Sequence, residues 1–156
     1  MQGGFSWVLI FILSAALAVA AYEDWRSRTI TNRLNGAIAL LAVPFWWASG
    51  LALWPDIALQ IAVAAGIFAL FAIAFRLGAM GGGDVKLVAA LALWLPPEAV
   101  LKLIVVMSMA GGALTLAMLI RHRIAKPGGE LEIPYGIAIA FGGFWLISER
   151  FLNQFS

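Results

Sequence analysis

The chain is too apolar to fold as a water-soluble globule. Hydrophobic residues make up 63% of its 156 residues and charged residues only 12%, and the mean hydropathy is +0.98. A soluble domain has roughly 45–50% apolar and about 25% charged residues. The 10 basic and 8 acidic side chains are too few to coat a soluble fold of this length, so we predict an integral membrane protein. Membrane topology explains the small net charge of +2 better than nucleic-acid binding does, and we expect no nucleic-acid partner.

Length sets the expected number of spans. A membrane helix needs roughly 20 apolar residues, or about 25 with its loop, so 156 residues allow about six transmembrane helices and no separate soluble domain. We therefore predict an all-α polytopic membrane protein that forms one domain over residues 1–156. The sequence contains no cysteine, which excludes disulfides, thiolate metal sites and a cysteine nucleophile.

The first three apolar segments have helical length. Helix 1 is predicted over residues 5–22. It ends in Ala18-Val19-Ala20, which resembles a signal-peptidase site, but no Lys or Arg precedes it, so we expect it to be retained. Helix 2 is predicted over residues 34–54 with a kink at Pro44, and helix 3 over residues 57–75.

A glycine-rich loop, residues 78–83, precedes a short helix 4, predicted over residues 85–95. These 11 residues rise about 16 Å, well short of the roughly 30 Å hydrocarbon core, so helix 4 is short, re-entrant or in a locally thinned bilayer. A re-entrant helix 4 would place the basic cluster from Arg121 to Lys126 outside, so we predict a full, short crossing. Helix 5 is predicted over residues 99–120 and helix 6 over residues 134–148, with a polar segment, residues 121–133, between them.

The basic residues assign the topology. If helix 4 crosses the membrane, the loops after helices 1, 3 and 5 share one side, and only Lys102 and Arg150 lie opposite. The positive-inside rule then places these three loops in the cytoplasm and both termini outside. The eight basic residues of these loops are Arg26, Arg28, Arg33, Arg76, Lys86, Arg121, Arg123 and Lys126.

Two aspartates are the strongest candidates for chemistry. Asp24 follows helix 1 and Asp84 precedes helix 4, so this topology puts both at the cytoplasmic ends of their helices, where they can meet. Two close carboxylates share one proton. The ionised one can activate water, while the protonated one donates a hydrogen bond to a peptide carbonyl, with no covalent intermediate.

Structural roles compete with this hypothesis. Asp84 is in a sequence context typical of a helix N-cap, and Asp24 can belong to a solvated turn. The run of glycines from Gly81 to Gly83 would let a substrate strand approach closely, although glycine runs are also packing surfaces. From spacing alone, both interpretations stay open.

Three motifs resemble those of the prepilin peptidases, which are membrane-embedded aspartyl proteases. Residues 81–87, Gly-Gly-Gly-Asp-Val-Lys-Leu, resemble the Gly-x-Gly-Asp signature. Residues 24–32 resemble the first family motif, an aspartate followed by basic residues and Ile-Pro-Asn, except that Thr31 replaces the proline. Residues 133–136, Ile-Pro-Tyr-Gly, resemble the segment that opens the last helix.

The resemblance implies that Asp24 and Asp84 are the catalytic dyad and that no cofactor or metal is needed. It also implies a prepilin or pseudopilin substrate, whose short basic leader is cut off at the cytoplasmic face of the bacterial inner membrane. The short, cysteine-free chain resembles the compact, peptidase-only form associated with tight-adherence (Flp) pili. The remaining motif residues, expected to shape the site or a substrate groove, are Gly81, Gly83, Lys86, Pro134, Tyr135 and Gly136.

Other charged residues receive simpler interpretations. Lys86 lies two positions after Asp84, hence on another helix face, and is interpreted as a snorkelling residue. Glu23, Glu130 and Glu132 are interpreted as solvated loop charges, with attraction of a basic leader as the alternative. His122 has no second ligand nearby in sequence, which argues against a metal site.

Two other functions stay open at this stage. A proton- or ion-coupled transporter would use the aspartates as a relay, but such proteins place charges near the membrane midplane, where helices 1, 2, 3 and 6 have none. A non-catalytic assembly protein is compatible with the composition, and only the paired motifs argue against it.

Overall fold

The computed structural model describes residues 4–125 and 133–153, and these residues form helices and connecting turns without strands. This confirms the all-α class. The helices of the described ranges are α1 (Gly4–Ser27), α2 (Asn32–Ala48), a π-helical turn (Leu53–Ile57), α3 (Ala58–Arg76), α4 (Gly82–Ala92), α5 (Pro97–Ala125) and α6 (Tyr135–Asn153).

Three segments of the described chain are long and apolar enough to cross a membrane. They are α1, the segment Leu53–Arg76 and the segment Pro97–Ile124. Large apolar side chains such as Phe11, Leu40 and Met109 cover the outside of the bundle. An exterior of this kind is suited to lipid and not to water, so the chain is a membrane protein.

Glycines with positive φ follow the ends of α2 and α3. At the end of α2, Gly50 has φ +69°, its amide donates to the Trp47 carbonyl, and the Leu51 amide donates to the Trp46 carbonyl. This Schellman motif ends α2 at Ala48, so the prediction that helix 2 extends to residue 54 is wrong.

A turn of the same kind ends α3, where Gly78 has φ +73° and its amide donates to the Phe75 carbonyl. It turns the chain into the glycine-rich loop before α4.

The short α4 lies at the centre of the bundle. It packs against α2, α3 and α6, and Leu87, Val88 and Leu91 are almost fully buried. Helix α6 packs against α1, α4 and α5. A Cβ on Gly143 would stand 2.7 Å from Leu17 and 3.1 Å from Leu91, so this glycine lets three helices approach closely.

Two tryptophans tie α2 to the end of α4. The Trp94 indole N–H donates to the Ile38 carbonyl at 2.9 Å, and the Trp46 indole N–H donates to the Leu93 carbonyl at 2.7 Å. The Trp94 ring also packs on Phe45, with ring centroids 4.8 Å apart. These contacts hold the C-terminal end of α4 against α2.

Replacing Trp94 by Phe should lower the free energy of unfolding by about 1–2 kcal/mol, because a buried hydrogen bond is lost while most apolar contact remains. A denaturant titration of the purified protein in detergent micelles measures this change. Trp47→Phe is the matched control, since Trp47 is 82% exposed. Equal effects of the two substitutions would contradict the structural role of Trp94.

Candidate active site

Asp24 lies in the last turn of α1, not beyond the helix as the sequence predicts. Its side chain is 3% exposed, and its Oδ2 atom is buried without a hydrogen-bond partner in the described part of the chain. Burial disfavours a negative charge on this carboxylate, and the backbone amides of Gly136 and Ile137 and the positive charge of Arg28 offset part of that effect. The solvated-turn interpretation of Asp24 is therefore wrong.

Asp84 lies in the first turn of α4 and is 7% exposed. The N-cap of α4 is Gly81, three residues before Asp84, so the N-cap interpretation of Asp84 is wrong. The Asp84 carboxylate interacts with the backbone amide of Gly81, as the third residue of a helix can. The charge of Asp24 also acts on Asp84, so the two carboxylates share one electrostatic environment.

Gly81 and Gly136 each lie so close to an aspartate carboxylate that a side chain at either position would collide with it. A Cβ on Gly81 would stand 2.8 Å from Asp84 Oδ2, and a Cβ on Gly136 would stand 2.8 Å from Asp24 Oδ2. Both distances are below van der Waals contact, so any larger residue at either position would displace the aspartate beside it.

Ile30 lies between the segments that carry the two aspartates. It is 6% exposed, and its backbone N and O atoms would each stand 3.1 Å from a Cβ on Gly83. Its Cδ1 atom would stand 2.7 Å from a Cβ on Gly136. The connection between α1 and α2 therefore packs on the first turns of both α4 and α6.

Hydrogen bonds hold this connection in place. The Thr31 amide donates to Glu23 Oε2 at 2.9 Å, and the Thr31 hydroxyl accepts from the Leu34 amide at 3.4 Å as the N-cap of α2. Glu23 thus anchors the connection from the last turns of α1, so the prediction that it lies in a loop is wrong. A proline at position 31, as in the family motif, has no amide hydrogen and could not donate to Glu23. The hydrogen bond between Thr31 and Glu23 therefore depends on the departure from the motif.

The first turn of α2 binds α4. The Asn35 side-chain amide donates to the Gly83 carbonyl at 3.0 Å, and the Lys86 ammonium donates to Asn32 Oδ1 at 2.7 Å. Lys86 is exposed and points away from the face that carries Asp84, in agreement with its predicted helix face. It connects α4 with α2 at the surface.

The third motif lies beside the aspartates. Pro134 is fully buried, Gly136 contacts Asp24, and a Cβ on Gly111 would stand 3.3 Å from the Tyr135 ring. A cavity of about 170 Å³ opens next to Tyr135, between α3, α5, α6 and the glycine-rich loop. Its apolar walls include Phe71, Met80, Met107 and Ile139.

The predicted polar segment between helices 5 and 6 is partly helical. Arg121, His122 and Arg123 belong to the end of α5. Lys126, Glu130 and Glu132 lie outside the described residues. Within those residues, no three His, Cys, Asp or Glu side chains form a group able to hold a metal ion.

The chain belongs to the type IV leader peptidase family, whose model matches residues 11–116. The match includes Asp24 and Asp84 and ends before the third motif. No curated protein and no solved structure matches the chain. The chain is thus a membrane peptidase of the type IV leader peptidase kind, and its family implies prepilin substrates.

Three residues of the site have no obvious sequence signal. Ile30 reads as an ordinary apolar residue, and its position between two glycines depends on contacts distant in sequence. Asn35 carries a weak signal, as a buried amide at the start of an apolar helix. Glu23 precedes Asp24 directly, and only the fold shows that it reaches Thr31.

Glu23→Ala should lower the free energy of unfolding by about 1 kcal/mol less in a Thr31→Pro background than in the native chain. Proline has no amide hydrogen, so in that background the hydrogen bond to Glu23 is already lost. Unfolding free energies of the two single variants, the double variant and the native protein give this coupling. Thr31→Ala is the control, since it keeps the amide and should keep most of the coupling. The same cost of Glu23→Ala in every background would rule the interaction out.

With Asp24 in the catalytic role that the motif resemblance implies, Gly136→Ala should lower leader cleavage at least tenfold, since its Cβ would displace Asp24 and displacements of about 1 Å cost roughly a hundredfold in rate. Cleavage of a co-expressed pilin precursor, followed on a gel, measures the loss. The matched control is Gly112→Ala, because a Cβ there meets nothing within 4 Å. Native activity in Gly136→Ala would contradict the close contact with Asp24.

Proposed function

We propose that the chain is an aspartic-type endopeptidase that removes the short basic leader of type IV, Flp-like prepilins or pseudopilins, with Asp24 and Asp84 as its catalytic dyad. The observation that carries the proposal is the burial of both carboxylates at one end of the bundle, with the charge of Asp24 acting on Asp84. Two buried carboxylates so arranged share a proton, which is the state that water activation requires.

The surroundings of the two carboxylates suggest their roles. Asp24 has the positive charge of Arg28 and the amides of Gly136 and Ile137 beside it, whereas Asp84 has the Gly81 amide and the negative charge of Asp24. Burial disfavours the charge of both carboxylates, but more neighbours offset it at Asp24 than at Asp84, and this difference supports Asp24 as the base and Asp84 as the acid.

In the proposed reaction, Asp24 removes a proton from water as the water oxygen attacks the scissile carbonyl. Asp84 donates a hydrogen bond to the carbonyl oxygen as negative charge develops there. The tetrahedral intermediate then collapses, the carbon–nitrogen bond breaks, and a carboxyl proton passes to the leaving amine. The reaction needs no covalent enzyme intermediate and no cofactor.

The proposed substrate path passes the third motif. The apolar cavity beside Tyr135 adjoins Gly136, which contacts Asp24. An apolar side chain next to the scissile bond would fit this cavity, and the backbone of the glycine-rich loop would lie alongside the substrate chain. Gly81, Gly83, Pro134, Tyr135 and Gly136 are therefore proposed to shape the groove, and Lys86 to fix α4 against α2.

The proposed location is the bacterial inner membrane, crossed by all six helices, with the aspartates at the cytoplasmic face and both termini outside. Arg26, Arg33 and Arg76 belong to the helix ends and turns near the aspartates, and the positive-inside rule assigns such basic ends to the cytoplasm. A basic leader that stays in the cytoplasm would then present its cleavage site at the correct depth.

Asp24→Asn and Asp84→Asn should each abolish leader removal, because neither variant can share the proton between two carboxylates. Precursor and mature pilin are separated on a gel, and an immunoblot checks that each variant reaches the membrane. Asp56→Asn is the matched control: Asp56 is exposed at the other end of the bundle, and it accepts a hydrogen bond from the Ala52 amide, as Asn can. Undiminished processing by either dyad variant would exclude the proposed mechanism.

A further inference from the structure

A second cavity, with polar and charged side chains in part of its wall, lies at the end of the bundle away from the aspartates. Its volume is about 580 Å³, and its lining includes Trp7 from α1 and Glu98, Lys102 and Arg150 from α5 and α6. Trp7 precedes Asp24 by about five helical turns, so roughly 25 Å of helix separates the cavity from the aspartates. The proposed peptidase reaction makes no use of this cavity.

Two hydrogen-bond acceptors in the cavity wall have no partner in the described part of the chain. Gln60 is 7% exposed, and its Oε1 atom is buried without a hydrogen bond. The Oγ atom of Ser49, at the end of α2, is likewise buried without a partner. Because buried polar atoms in folded proteins are nearly always hydrogen-bonded, Gln60 Oε1 favours a ligand that donates a hydrogen bond, and the Ser49 hydroxyl can accept from or donate to the same ligand.

The cavity is lined by two cationic and two anionic side chains, and only one cation and one anion of these four form an ion pair with each other. Lys102 and Glu149 form an ion pair at 2.7 Å. The Arg150 guanidinium lies over the Phe45 ring, 5.5 Å from its centroid, and no carboxylate of the described residues pairs with it. Glu98 lies in the first turn of α5 and has no ion pair with those residues either. One cation and one anion are thus available to a ligand.

An apolar groove adjoins the cavity. Its volume is about 730 Å³, it lies between α5 and α6, and it shares Lys102 and Glu149 with the cavity. Its remaining lining is apolar except for Ser148 and comprises Leu101, Val105, Val106, Trp145 and Leu152. A polar site with equal numbers of opposite charges therefore continues into an apolar channel on the lipid-facing surface.

We propose that this cavity and groove bind one zwitterionic phospholipid of the phosphatidylethanolamine type. Its phosphate pairs with the Arg150 guanidinium, and its ammonium group donates to Gln60 Oε1, Ser49 Oγ and Glu98. One acyl chain lies along the groove between α5 and α6. A headgroup with one positive and one negative charge matches the zero net charge of the lining better than an anionic headgroup does.

Native mass spectrometry of the purified full-length protein in detergent tests the proposal. Phosphatidylethanolamine, diacylglycerol with the same chains, and soluble glycerophosphoethanolamine are added in separate titrations. The native protein should bind one phosphatidylethanolamine, and Arg150→Gln should weaken this binding roughly tenfold or more, since a charge-assisted hydrogen bond is lost. Arg121→Gln, an exposed arginine of α5 far from the cavity, should bind as the native protein does.

Several outcomes would overturn the proposal. Equal binding by Arg150→Gln and the native protein would remove the phosphate contact, and equal binding of diacylglycerol would show that the headgroup is not recognised. Equally tight binding of the soluble headgroup would assign the cavity to a free ligand and not to a lipid. If Arg150→Gln fails to fold, Gln60→Met takes its place and should also weaken binding. Asp84→Asn should retain lipid binding, so this test is independent of the proposed peptidase mechanism.

Discussion

The packing of Ile30 against two glycines is the constraint on which the site depends. A Cβ on Gly83 would stand 3.1 Å from the backbone N and O atoms of Ile30, closer than most Cβ contacts, and the backbone, unlike a flexible side chain, cannot rotate away. The Ile30 side chain reaches Gly136 at the start of α6. Asp84 follows Gly83 in sequence, and Asp24 contacts Gly136. By packing on both glycines, Ile30 sets the position of one carboxylate relative to the other.

The short central helix makes this arrangement possible. Helix α4 has 11 residues, and its first turn, which includes Asp84, packs against the connection that follows the last turn of α1. The start of α6 meets them there. Helix starts present free backbone amides, and amides of Gly81, Gly136 and Ile137 stabilise the carboxylates. The protein thereby buries two acidic groups in an apolar bundle, where Arg28 is the one cation of residues 4–125 and 133–153 whose charge acts on Asp24.

Much of the architecture could be predicted from the sequence, because long apolar runs separated by polar or glycine-rich segments define helices locally. Six helical segments, the short helix 4 and the two aspartates at helix ends follow from such patterns. The end of α2 could not be predicted, since the apolar run continues past the Schellman turn at Gly50. The roles of Glu23 and Ile30 depend on contacts between separate segments, to which hydrophobic periodicity is insensitive.

The most direct test of the account is whether residues 24 and 84 lie side by side in the membrane. The chain contains no cysteine, so Asp24→Cys and Asp84→Cys can be combined without background. Treatment of isolated membranes with a short bis-thiosulfonate reagent should cross-link this pair and change its mobility on a denaturing gel. The control pair, Asp24→Cys with Asp56→Cys, should not react, because its members lie at opposite ends of the bundle. Failure of the first pair to cross-link, or equal reaction of both pairs, would contradict the account.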